Sequence, residues 1–155
     1  MRRDKLSVEL VNAHSPERSE PKLPRFVVRF DGPETELASR FHNPADSVYT
    51  PEQLDVSFRE QAPSNGSPST GVFSVSDRLT GDYLFEVTAS TGLIGAFSDA
   101  VRRYTEATEA APRYEVALWA AETERAVFTK HTFLVFQQDG TLLRHYCVIP
   151  ASVEL

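Results

Sequence analysis

Cys147 and His145 stand two apart in "LLRHYCVIP". On an extended strand that spacing puts a thiol and an imidazole on one face, the minimum for a nucleophile and its base. Such a pair also needs hydrogen-bond reach and a third group to orient the ring. No Asp or Asn is adjacent to supply it, and a buried cysteine is commonly just a small hydrophobe. The four histidines (His14, His42, His131 and His145) are scattered, with no carboxylate at ligand spacing, so a zinc-type site is not expected. "FEVTASTGLIGAF" raises a different chemistry. Ser90-Thr91-Gly92 sits where a β-like stretch enters a helical pattern, and free N–H groups at a helix start hold anions. A working phosphate loop adds further glycines and a basic side chain. Here Gly92 and Gly95 enclose Leu93 and Ile94, which packing explains better. Ser90 or Thr91 is therefore expected to act as a helix N-cap.

Charged and aromatic residues remain as candidates for recognising a partner. Arg2, Arg3, Arg102, Arg103 and Trp119 are the expected contacts, with no catalytic residue, no cofactor and no metal. Local pairing competes for the arginines of the helix: Glu106 follows Arg102, and Asp99 precedes Arg103, at i, i+4 spacing. Trp119, in "YEVALWAAE", is better explained by packing than as an exposed binding anchor.

The elements that must position these residues are mostly strands. "KLSVELV", "RFVVRF" and "LDVSFRE" alternate apolar and polar side chains, as antiparallel strands with one wet face do. "VFSVSDRL" and "DYLFEVTA" flank Thr80-Gly81. A three-residue loop, Leu79-Thr80-Gly81, sets Val75 opposite Phe85 and Phe73 opposite Val87, keeping one face apolar. A two-residue loop would mix the faces. Apolar residues at Leu93, Ile94, Phe97, Ala100, Val101 and Tyr104 predict one long helix over about 92–110, ended by Pro112. "DGPETELASRF" reads as a short helix opened by Pro33. "RYEVALWAAE", "RAVFTKHTFLVF" and "LLRHYCVIP" follow as strands. "QQDGT" joins the last two and places Thr132 across from Cys147. Exposed loops are expected near 13–24 and 61–71, where prolines, glycines and serines concentrate.

The fold class that follows is α+β: a mostly antiparallel sheet of about seven or eight strands, with the long helix packed on one face. A chain of 155 residues closes one core, so residues 1–155 are expected to be a single globular domain. Net charge of −6 argues against a general binder of phosphate backbones. A single cysteine fits a reducing interior, and no apolar run approaches the roughly 20 residues that span a bilayer. "MRRDKLSVEL" begins like a signal peptide but lacks the apolar stretch. A cytoplasmic protein without a membrane partner is the expectation. Arginine outnumbers lysine thirteen to three, which matches a GC-rich genome or a demand for bidentate carboxylate contacts.

"MRRDKLSVELVN", "LTGDYLFEVTA" and "VIPASVEL" together resemble a family of small haloarchaeal proteins defined only as a domain of unknown function. The resemblance implies no activity, ligand or site residue. On the residues themselves, the expected role is a non-catalytic module that binds another protein, with a second copy of itself among the candidates. A nucleic-acid- or ribosome-associated accessory protein is the alternative.

Overall fold

The computed structural model describes residues 5–12, 22–42, 48–61 and 69–150. The expected loops fall largely on 13–21 and 62–68, outside the described residues. Eight strands and two helices follow the chain in the order β1 (Leu6–Val11), β2 (Arg25–Phe30), α1 (Glu34–Arg40), β3 (Leu54–Glu60), β4 (Thr70–Asp77), β5 (Tyr83–Ser90), α2 (Thr91–Thr108), β6 (Tyr114–Ala120), β7 (Thr123–Lys130) and β8 (Leu134–Phe136). Short 3₁₀ turns at Pro51–Gln53 and Arg144–Tyr146 complete it.

The α+β class and the strand number match expectation, but the single sheet does not. The strands form two four-stranded sheets, ordered β1-β2-β6-β7 and β5-β4-β3-β8. Both are mixed, because β2 runs parallel to β6 and β3 parallel to β8. Alternation marks which residues face inward; it carries no information about which distant strand lies alongside. The sheets face each other across one core, where Phe26 of β2 meets Phe73 of β4 with ring centroids 4.8 Å apart.

The helix also differs from the expected lid on one face. It lies against β1 of one sheet and β5 of the other. From there Phe97 reaches into the aromatic centre, stacked on Phe26 at 4.2 Å and edge-on to Tyr114 and Phe133, each at 5.1 Å. All four rings are 0% exposed. The Tyr114 hydroxyl donates to the Thr132 carbonyl at 2.7 Å, which satisfies the polar atom of a ring placed so deep.

The central hairpin keeps the expected register, Val75 opposite Phe85 and Phe73 opposite Val87. Its turn is different. The Asp77 N–H donates to the Asp82 carbonyl and the Gly81 N–H to the Asp77 carbonyl, so the loop is the four residues 78–81. Gly81 takes the positive φ of 78° expected of it. The extra residue sits instead at Leu84, a bulge that lets Leu84 and Phe85 both be buried.

"RAVFTKHTFLVF" is not one strand. It leaves the first sheet after Lys130, turns at His131-Thr132 and enters the second sheet as β8. "LLRHYCVIP" is not a continuous strand either, since the 3₁₀ turn at Arg144–Tyr146 interrupts it. Phe133 bridges Val148, which shifts Thr132 away from the expected place across from Cys147.

Candidate functional site

The expected contact residues do not converge. Arg2 and Arg3 lie outside the described residues. Arg102 is held by Asp99 at 3.2 Å, three residues away rather than through Glu106, and also donates to the His145 carbonyl. Arg103 is exposed on the same helix and has interactions of its own. Trp119 stands on the outer face of the first sheet under the Arg29 guanidinium, 4.7 Å from the ring centroid. That face carries ion pairs, Arg29 with Glu9 at 2.8 Å and Arg25 with Glu115 and Glu124 at 3.4 and 3.0 Å.

The thiol and imidazole are likewise apart in role. Cys147 Sγ accepts from the Val135 N–H and donates to the Leu143 carbonyl, both at 3.3 Å. Burial pushes its pKa up, against smaller opposing effects of the Val135 amide and Arg144. A thiol held protonated is a poor nucleophile. His145 is exposed and its ring lies over Tyr146, centroids 4.0 Å apart. The Ser90 cap is as expected: its hydroxyl accepts from the Leu93 N–H at 3.1 Å. Among the described residues no three His, Cys, Asp or Glu side chains gather where a metal ion would need them.

What the fold does assemble is a groove beside β7, with a volume of about 590 Å³. Four stretches distant in sequence make it, one of them β6 through Leu118. Leu37 and Phe41 come from α1 and its end, Val48, Tyr49 and Leu54 from the segment that leads into β3, and residues 124–128 from β7. Helix α1 starts directly after Pro33, its extended N-cap, with acidic Glu34 and Glu36 at its positive end and Arg40 at its last turn. Its one fully buried residue, Leu37, anchors it over the groove.

The lining from β7 is five consecutive residues. A strand that presented one face alone would contribute alternate residues, so the edge of β7 borders the groove together with the inner face, where Leu118 of β6 also lines it. β7 pairs with β6 on one side only. Among the described residues no backbone group hydrogen-bonds to its other side. Edge strands commonly carry charges as a defence against pairing. Here Glu124 is drawn to Arg25 at 3.0 Å and Arg125 to Glu34 at 2.9 Å. Val48 and Val127, 66% and 38% exposed, both line this groove. Both leave apolar surface open beside the unpaired backbone of β7.

Two polar contacts hold the wall opposite β7. The Tyr49 hydroxyl donates to Asp77 Oδ2 at 2.7 Å, while Asp77 Oδ1 accepts from the Leu79 and Thr80 N–H groups at 2.8 and 3.0 Å. The hydrogen bond to Asp77 pushes the phenol up to about 12, with burial adding to it. The same bond, with the Thr80 and Leu79 amides, holds the Asp77 carboxyl below its ordinary value. Lys130 makes the second contact, through Nζ to the Pro51 and Leu54 carbonyls. Sequence reasoning missed this site because its parts are scattered; the one available signal was Lys130, a charge at an inward position of an alternating strand.

Fold and groove together define a two-sheet α+β protein with one open strand edge beside an apolar cleft. The chain belongs to a family of unknown function (DUF5793), whose profile matches residues 1–155. No curated protein and no solved structure matches it.

Proposed function

We propose that this protein is a non-catalytic binding module that takes an extended segment of another protein onto the open edge of β7. The coincidence of unpaired backbone with an apolar groove at that edge carries the reading. Main-chain hydrogen bonds would supply affinity, and alternate side chains of the segment, entering beside Leu37, Phe41 and Val48, would supply selectivity. A groove of about 590 Å³ is roomy enough for two or three apolar side chains. A second copy of this chain presenting its own β7 is the homo-oligomeric form of the same proposal. The single cysteine supports a reducing, cytoplasmic setting, and the arginine excess is compatible with an archaeal, GC-rich source.

Selection from a displayed library of random octapeptides, the length of β7, tests it. Enriched peptides should share apolar residues at alternate positions. Val127→Lys and Val48→Asp, both at exposed sites, should abolish capture while leaving the unfolding temperature unchanged. Capture that ignores both substitutions would refute the groove. Salt-dependent retention on RNA or DNA would favour the nucleic-acid role instead.

A further inference from the structure

Lys130 stands where the inward alternation of β7 calls for an apolar side chain, two residues after Phe128, and it is 6% exposed. Taking an ammonium out of water is costly unless hydrogen bonds replace its hydration. Its Nζ finds two, donating to the Pro51 carbonyl at 2.8 Å and the Leu54 carbonyl at 2.7 Å. The charged groups around it are Arg78, Asp55 and Glu52. Burial and Arg78 oppose its charge, whereas the two carboxylates and two carbonyl acceptors favour it.

The placement of those two carbonyls gives the lysine its meaning. Both belong to the stretch that forms the groove wall opposite β7, and Pro51 and Leu54 themselves line the groove. This stretch has little regular pairing of its own. Up to Gln53 its backbone bonds are Tyr49 N–H to the Phe41 carbonyl, Gln53 N–H to the Thr50 carbonyl, and Arg78 N–H to the Gln53 carbonyl, whereas Leu54 already begins β3 and pairs with Asp77 of β4. A methionine of similar length would fill the space without the desolvation cost. It would leave the Pro51 and Leu54 carbonyls without their bonds from β7.

We infer that Lys130 is a latch that sets the width of the β7 groove, because one side chain of β7, two residues beyond the last one that lines the groove, grips the backbone of the opposite wall. The latch stands on these contacts; its importance for binding rests on the proposed docking of an extended segment.

Amide hydrogen exchange on the full chain carrying Lys130→Met tests it. The Tyr49, Gln53 and Arg78 amides should exchange at least about tenfold faster, the loss of roughly one charge-assisted hydrogen bond. Amides between β2 and β6, far from the latch, should keep their rates. Should the Met variant fail to fold, Lys130→Gln, which keeps a shorter donor, is read at the same amides with the same expectation. Unchanged exchange at Tyr49 and Gln53, or equal acceleration across β2 and β6, overturns the latch. Val127→Lys separates the two claims, since it should remove octapeptide capture while leaving exchange at Tyr49 and Gln53 as in the parent protein.

Discussion

The turn that joins β6 to β7 should be improvable by two substitutions that a propensity argument would call harmful. Ala120 pairs with Thr123, leaving only Ala121 and Glu122 in the loop. Their φ angles are 51° and 61°. Two-residue hairpins favour such positive φ at both positions because the turn then matches the twist of the strands, and Asn-Gly is the usual solution. L-residues with a Cβ pay about 1–2 kcal/mol each for that conformation. Glycine removes the clash but loses about 0.5–1 kcal/mol in chain entropy, so Glu122→Gly should gain about 0.5–1 kcal/mol net. Asparagine tolerates the left-handed region better than alanine, and Ala121→Asn should add about 0.5 kcal/mol. For a chain of this length the double variant should melt about 3–5 °C higher. Glu122→Ala is the control, since it keeps a Cβ and should change little. Scanning calorimetry reads all three. A double variant no more stable than its parent, or a stabilised Glu122→Ala, would refute the strain argument.

Gly71→Ala should behave in the opposite way. Glycine inside a strand is ordinarily a weakness, yet a Cβ at 71 would sit 2.4 Å from the Arg59 carbonyl oxygen and 2.4 Å from the Phe58 ring. The backbone atom cannot step aside, so a loss of about 1–3 kcal/mol is expected in urea unfolding. Phe97→Ala should cost about 3–5 kcal/mol, whereas the same change at half-buried Leu93 on the adjoining helix face should cost clearly less. Equal costs would mean that α2 does not wedge its aromatic ring between the sheets. The Tyr49–Asp77 bond predicts two pH limbs. The carboxyl, lowered from 3.8, supplies stability above that value that is lost as pH falls through its depressed pKa. The phenol, raised from 10.0 to about 12, supplies stability below pH 10 that is lost as pH climbs toward 12. Tyr49→Phe should flatten the alkaline limb and shrink the acid one in urea midpoints measured across the range.

Local pattern carried the sequence reading a long way, and its failures have physical causes. Alternation around Val75 and Phe85 fixed their register, because a slip would have exposed a whole apolar face. The same alternation misplaced the bulge, since "LF" at 84–85 offers two apolar residues and only the second sheet shows that both are buried. The division of the strands between two sheets was hidden for a different reason. The parallel pairing of β2 with β6 joins residues about ninety positions apart, and no turn announces it. The corner at His131-Thr132 did leave a trace. Inward positions are even through Phe128 and Lys130 but odd at Phe133 and Val135, a change of phase that a single strand does not make. The Ser90 cap was legible because its partner is three residues away. The groove was not, because α1, the residue 48–54 stretch and β7 meet only after folding.

Amide exchange of β7, measured with and without a saturating octapeptide from the selection, tests the docking edge most directly. Edge amides within residues 123–129 should gain protection, while amides of β1 and β8 keep their rates. Protection that appears on β1, on β8 or on α2, with β7 unchanged, would contradict it.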